Sequence, residues 1–311
     1  MKRTLTALAT VALLAAPAAL AESKTFEAKS FTRIDVEGAM FVTYKSGPET
    51  RVVVETPGGD FSDAKISNDG DTLIVSRKSL DDKGGWFSWS RSIDVSDDGK
   101  TIKVNGKKKP VYNVTVTGPA LEGIEASQSS RFTSQTINAG DFDAAASSSS
   151  EVTLAGTASR ASLNASSSGE VKAAGLKAAS ANLNASSSGE VQALVTGTGS
   201  SALNASSAGE ITLVSQGAGS FEVNASSGGN VSLSGPCTSI TADASSGAEI
   251  DAVELRCAAA TGRASSGGEI DLYASESAKG SASSGGDVTF RGAPKTQDVS
   301  KSSGGSVEFK S

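Results

Sequence analysis

No histidine occurs anywhere in the 311 residues. A Ser-His-Asp triad, a Cys-His dyad and any His-ligated zinc or haem are therefore excluded. Two cysteines are too few for an all-cysteine zinc site or an iron–sulfur cluster. Positive charge is also in deficit: 28 Lys and Arg face 34 Asp and Glu. A net charge of −6 argues against nucleic acid as the main partner. Aromatic residues make up 5% of the chain, so any core must be thin and built of small side chains. Ser, Gly and Ala are abundant instead. Composition alone would allow disorder, and periodicity decides against it.

The first stretch reads as an address. Lys2 and Arg3 precede an apolar run from Leu5 to Ala16, and Ala19-Leu20-Ala21 is a small-x-small cleavage site. This is the pattern of a bacterial-type secretory signal peptide over residues 1–21, with the mature chain starting near Glu22. The apolar run is short of the ~20 residues a spanning helix needs, and no later segment could span a bilayer. The expected location is the periplasm or the cell surface.

From Ala126 onward one phrase recurs: small, Ser, Ser, small, small, polar, then Val or Ile. Its ten copies begin at Ala126, Ala146, Ala165, Ala185, Ala205, Ala225, Ala244, Ala264, Ala282 and Lys301, so the period is 18 to 20 residues. Each Ser phrase leads into strict alternation, as in Val171-Lys172-Ala173 and Val191-Gln192-Ala193. Period two marks a strand with one buried face. A further strand precedes the phrase, as in Leu163-Asn164-Ala165. Short strands repeated in register every ~20 residues describe an all-β fold, a single-chain parallel β-helix or β-solenoid. At about 4.8 Å per coil, ten copies make a rod on the order of 45 Å long.

Stacking turns repeat positions into columns. The double-Ser column can satisfy its hydroxyls along the rod. The glycines at Gly169, Gly189, Gly209 and Gly268 suit a corner needing positive φ. Asn164, Asn184, Asn204 and Asn224 form a second ladder. Each begins an Asn-Ala-Ser triplet that the repeat itself imposes. Cys237 and Cys257 each lie seven residues before the start of a Ser phrase, hence at one position on adjacent coils. That spacing and an oxidising compartment predict a Cys237–Cys257 disulfide.

Residues 22–125 have another rhythm. Longer strand candidates run Phe31–Val36, Met40–Tyr44, Arg51–Glu55, Asp71–Ser76, Ile93–Val95, Thr101–Val104 and Val111–Thr117. Turn signals such as Asn68-Asp69-Gly70 and Asn105-Gly106 separate them. The expected organisation is a signal peptide over 1–21, an irregular β region over 22–125 that caps the solenoid, and coils over 126–311. The last copy ends in an open strand edge, which suits pairing with a second molecule.

Candidate chemistry is sparse, and no cofactor is implied. Trp86, Phe87 and Trp89 cluster beside Gly84-Gly85. Such aromatics suit carbohydrate stacking or a protein contact, or else they plug the rod. A polar, mostly acidic column runs through Glu151, Glu170, Glu190, Glu210, Asn230, Glu249, Glu269 and Asp287. It reads as a solvated face; the alternative is a cation ladder through Glu170, Glu190 and Glu210. Lys107-Lys108-Lys109 reads as a solvated loop, with contact to an anionic polymer as the alternative. Ser62-Asp63-Ala64-Lys65 matches a Ser-x-x-Lys spacing, but that motif needs a helix and here falls in turn and strand.

Three stretches carry a family likeness: Phe31-Thr32-Arg33-Ile34-Asp35-Val36-Glu37-Gly38, Asp69-Gly70-Asp71-Thr72-Leu73-Ile74-Val75, and Val114-Thr115-Val116-Thr117-Gly118-Pro119-Ala120-Leu121. With the Ser/Gly-rich coils after them, they resemble the auto-transporter adhesin head domain, the GIN domain family, over roughly residues 26 to 290. The resemblance implies a β-solenoid and brings no catalytic residues with it. The resulting expectation is an exported, non-enzymatic binding module of the bacterial envelope, with carbohydrate or an envelope protein as partner. The alternatives are a polysaccharide-active enzyme on the same scaffold and a purely structural envelope protein.

Overall fold

The computed structural model describes residues 21–80, 92–96 and 98–310. Twenty-one strands join in one sheet that winds into a β-solenoid of about nine turns. No α-helix occurs among the described residues; one short 3-10 turn spans Lys78–Leu80. The expected leader lies outside the described residues except for Ala21, which opens the strand Ala21–Phe26.

Each Ser phrase is a turn, and each coil is what lies between two turns. The third and fourth residues of the phrase both take left-handed backbone, as in Ser167 (φ 50°) and Ser168 (φ 61°). The Gly169 amide donates to the Ser166 carbonyl at 2.8 Å, which closes a type I′ turn. Ser149, Ser168 and Ser188 amides then donate to the carbonyls of Ser167, Ser187 and Ser207, each at 3.1 Å, and tie one turn to the next. Of the paired serines Ser166-Ser167, Ser166 is half-buried and Ser167 is exposed, as is Ser168. The regularity of this column therefore resides in its backbone rather than in a hydroxyl stack.

The glycine expectation needs correction. Positive φ falls on the two residues before Gly169, Gly189 and Gly209, and these glycines do not share it. What they supply is room. A Cβ on Gly209 would lie 2.3 Å from the Ala185 carbonyl oxygen on the coil beneath. Ser130, Ser150 and Ala248 occupy the same column and are buried; at Ser150 and Ala248 the turn's closing hydrogen bond lengthens to 3.2 Å, against 2.8–2.9 Å at Gly169, Gly189 and Gly209. Neighbouring substitutions should thus act in opposite directions. Ala208 holds φ at 59°, so Ala208→Gly should stabilise the chain by about 1 kcal/mol. Gly209→Ala should cost about 1–2 kcal/mol through the backbone clash. Urea unfolding of the two variants checks the signs.

Between turns the strands are long and bend through bulges. Glu151–Ala165, Glu170–Ser186, Asn230–Ser245 and Glu249–Ser265 each run most of the way around a coil. Parallel register is continuous: Val152 pairs with Val171, Val171 with Val191, and Val191 with Ile211. These residues and their successors are buried in one apolar core. The facing wall shrinks along the rod from Leu163, Leu183 and Leu203 through Val223 and Ala242 to Gly262 and Gly280. At the C-terminal end the first wall swells to match, from Ala252 through Leu272 to Phe290. A Cβ on Gly280 would meet Val307 at 2.6 Å and Phe290 at 2.9 Å. Phe290 stacks on Phe309 with ring centroids 5.2 Å apart. The missing volume of one wall is filled by the other.

Described residues from Phe31 to Leu121 contribute to this core. Arg33–Glu37 lies parallel between Thr72–Arg77 and Gly123–Ser127. Phe41–Ser46 lies parallel to Asn113–Gly118 and to Arg131–Ala146. Arg51–Pro57 is antiparallel to Ala21–Phe26 and to Asn113–Gly118, and Ala64–Asp69 folds back on Thr72–Arg77. A separate three-stranded antiparallel sheet holds Ile93–Val95, Ile102–Val104 and Lys107–Lys109. The lysine run is thus a strand, not a loop. Asn105-Gly106 takes left-handed backbone (φ 50° and 74°) and reverses the chain, so Lys107–Lys109 pairs with Ile102–Val104.

Candidate functional site

A groove of about 510 Å³ lies between the three-stranded sheet and the first coils of the solenoid. Ile93 and Val95 form one wall. The other is built from successive turns at Ser129-Ser130, Ser149-Ser150 and Ser168. Phe41, Arg131, Glu151 and Glu170 complete it. The repeat explains their placement. Phe41, Arg131, Glu151 and Glu170 occupy one column on four consecutive strands. Alternation puts that column on the outer face, one residue before the buried Phe132, Val152 and Val171.

Arg131, Glu151, Lys172 and Glu170 form one chain of ion pairs along the groove. The Arg131 guanidinium sits 5.5 Å over the Phe41 ring and donates to Glu151 at 2.8 Å. Lys172, two residues beyond Glu170 on the same face of the strand, donates to Glu151 at 2.9 Å and bridges to Glu170 at 2.9 Å. Burial alone would raise the Glu151 carboxyl, but hydrogen bonds from Lys172 and Arg131 outweigh it and hold the carboxyl below the usual range. Hydrogen bonds to Glu170 and Glu151 push the Lys172 ammonium up. Both therefore remain charged at neutral pH. The groove offers a fixed cation, fixed carboxylates and a floor of serine turns. It can recognise a polar, hydroxyl-rich ligand by hydrogen bonds.

The acidic column continues beyond the groove. Glu170 pairs with Glu190, Glu190 with Glu210, Glu210 with Asn230, and so on to Asp287. Among the described residues, no three metal-capable side chains converge on one point. Gln192 donates to Glu190 at 2.7 Å. Trp86, Phe87 and Trp89 lie outside the described residues. Ile93, on the strand that follows that segment, lines the groove.

Cys237 and Cys257 pair in register on adjacent strands and form a disulfide, with Cα atoms 4.4 Å apart. The asparagine ladder is also present. Asn184, Asn204 and Asn224 each donate from Nδ2 to the Oδ1 of the preceding asparagine, at 2.9, 3.1 and 3.2 Å. Further along the same column, Asp243 follows Asn224 and bridges to Arg263 on the next coil at 3.1 Å. Asp63 of the Ser-x-x-Lys stretch is not part of a nucleophile site. It accepts from the buried Arg77 at 3.3 Å and from the Ser79 amide at 2.9 Å.

A second acidic cluster escaped the sequence reading. Asp35 pairs in register with Glu125, and Glu37 follows on the same strand. Burial, then Glu37, then Glu125 push the Asp35 carboxyl from its ordinary 3.8 up to about 6. The folded state thus holds a proton that the unfolded chain has lost. Stability from this residue is fully present below about pH 4 and is lost as pH rises through about 6. Asp35→Asn should flatten the stability profile across that window. After allowance for solvent screening, it should gain about 1 kcal/mol at neutral pH. Thermal melts at a series of pH values measure this.

The model of a family described as "Putative auto-transporter adhesin, head GIN domain" matches residues 30–217 and 195–294. The chain belongs to that family. Solved structures similar to this chain include a "putative adhesin" from Bacteroides fragilis, 15% identical, covering 94% of this chain and 99% of that one, TM-score 0.33. A "putative lipid binding protein" from Parabacteroides distasonis is 15% identical, covers 94% and 97%, and has a TM-score of 0.45. A "putative adhesin" from Parabacteroides merdae is 16% identical, covers 94% and 96%, and has a TM-score of 0.44. No curated protein matches the chain. Among the described residues of this GIN domain, no helix is long and apolar enough to cross a membrane.

Proposed function

We propose that this GIN domain is an exported, non-enzymatic binding module of the bacterial envelope, and that its ligand is carbohydrate. The observation that carries this is the groove in which Arg131, Glu151, Lys172 and Glu170 are locked beside three serine turns. Preorganised polar groups on a rigid sheet bind without an ordering cost. They also match the alternating donors and acceptors of sugar hydroxyls. The predicted leader over 1–21 and the family's adhesin name agree with an envelope location. Trp86, Phe87 and Trp89 are proposed to supply the aromatic face that a sugar ring stacks on.

A glycan array tests this with three proteins: wild type, Arg131→Ala, and the double variant Trp86→Ala, Trp89→Ala. Wild type should bind at least one glycan class, and each variant should bind it at least about tenfold more weakly. Retained binding in Arg131→Ala removes the groove from the proposal. No binding by wild type counts against carbohydrate as the ligand class.

A further inference from the structure

The last coil consists of Thr296–Lys301 and Ser306–Lys310, joined by the turn at Ser302–Gly305. Thr296–Lys301 pairs with Glu269–Ser283, and Ser306–Lys310 pairs with Asp287–Arg291. On its other side, neither strand has a partner among the described residues. All of Thr296–Lys301 is exposed, and Val299 shows 44% of its surface to solvent. Yet Val299 stands in a core column, directly above Gly280. Phe309 stands in the facing core column, stacked on Phe290. Among the described residues the rod therefore stops at two parallel-running edges, with Val299 and Phe309 at the margin of the apolar core between them.

We infer that this end is a homodimer interface: two copies meet end to end about a two-fold axis, and each edge strand pairs antiparallel with its own counterpart. Two-fold symmetry is the commonest closure for a self-complementary patch, and it uses up both edges at once. The inference is independent of the ligand groove, which lies in the first coils.

Parity and charge select the register. Directly opposed residues of an antiparallel pair lie on the same face of the sheet. For Ser306–Lys310, one allowed register centres on Phe309 and sets Glu308 opposite Lys310 of the second copy, twice. The alternative centred on Glu308 would set two carboxylates face to face. For Thr296–Lys301, centring on Val299 sets Gln297 opposite Lys301 and avoids the Asp298–Asp298 contact of the adjacent register. A single axis can serve both strands. Val299 covers Gly280, whose missing Cβ would touch Val307 and Phe290 on the facing wall, so the two centres lie across the core from each other. Val299 and Phe309 of the two copies then close one continuous core. In the isolated chain Glu308 and Lys310 bridge each other at 3.2 Å along the same strand, on the outer face. The dimer exchanges that contact for two across the interface.

Sedimentation equilibrium of the purified chain and its charge variants tests this. Wild type should dimerise. Glu308→Lys and Lys310→Glu should each weaken association roughly tenfold, because each places like charges opposite one another. An equimolar mixture of these two variants should form a heterodimer, since every cross-strand pair is then again of opposite sign. The combined variant Glu308→Lys, Lys310→Glu should self-associate like wild type. Circular dichroism on each variant separates loss of fold from loss of pairing. If a charge variant fails to fold, Phe309→Lys and Val299→Lys supply the same test at the two centres. A monomeric wild type overturns the inference, as does dimerisation indifferent to both single charge reversals.

Discussion

Arg77→Met lowers the stability of the chain by about 3–5 kcal/mol, the largest effect expected of any single substitution in the structure. The guanidinium is fully buried. Its Nε donates to the Gly38 carbonyl, Nη1 to Asp63 at 3.3 Å, and Nη2 to the carbonyls of Ala39 at 3.3 Å and Pro110 at 2.9 Å. The Tyr112 ring packs under it at 4.9 Å, and the Tyr112 hydroxyl donates to the Asp60 carbonyl at 2.9 Å. One side chain therefore joins three separate segments: the corner at Gly38-Ala39, the turn before Ala64, and the entry to Asn113–Gly118. Gly38 and Ala39 both hold positive φ, at 81° and 56°, and the arginine secures that strained corner.

Truncation leaves Asp63 as a buried carboxylate without its main partner, and strands three carbonyls. Burial pulls the Arg77 guanidinium down from its ordinary value while Asp63 holds it up. A guanidinium starts so high that it stays charged at neutral pH. The energy at stake is thus that of an ion pair in a dry site, where losing one member costs more than losing both. Arg77→Met combined with Asp63→Leu should recover a substantial part of the loss. Urea unfolding of the two single variants and the double variant gives the coupling energy. Additive effects would mean that the pair is not coupled.

Reduction of the Cys237–Cys257 disulfide should cost about 3 kcal/mol, from the chain entropy of a loop near 20 residues. In a solenoid that loss has a location. Each coil is held only by its neighbours, so stability is a sum of local terms and ends fray first. The bridge joins two coils near the C-terminal end, where Gly262 and Gly280 leave one wall without side chains. The variant Cys237→Ser, Cys257→Ser should therefore lose amide protection from Glu249 onward before the first coils change. Hydrogen exchange resolved by peptide measures this. Uniform loss along the whole rod would contradict nearest-neighbour stability.

The repeat made the coils legible because its period leaves little freedom. Once Val152, Val171 and Val191 are known to stack, the positions of the cysteines, the asparagines and the acids follow by counting. Counting does not say which backbone conformation each residue of a turn adopts. Glycine seemed the natural left-handed residue, yet Ser167 and Ser168 take that conformation. The turn's hydrogen bonds and the coil beneath set the local geometry, and Gly169 is spent on close approach. The groove was within reach of the same counting. Arg131 lies 20 residues before Glu151 and begins the acidic column, one repeat ahead of where that column was read. The Arg77–Asp63 pair was not within reach. It lies outside the periodic region, and only the tertiary fold brings Asp63 and Pro110 to one buried guanidinium. The Asp35 cluster depends likewise on the pairing of Arg33–Glu37 with Gly123–Ser127, strands almost ninety positions apart.

The graded core has a consequence for how such a chain can change length. A rod of identical coils could gain or lose one by simple duplication or excision of a 20-residue unit. Here the Leu183 and Leu203 coils set Ala173 and Ala193 on the other wall. A coil with Gly280 expects Phe290 and Val307. A duplicated Leu183 coil set beside Phe290 would overfill the interior, and a Gly280 coil moved toward Leu154 would leave a void. Each coil thus carries an address written in side-chain volume, and recombination is tolerated only between coils of neighbouring address.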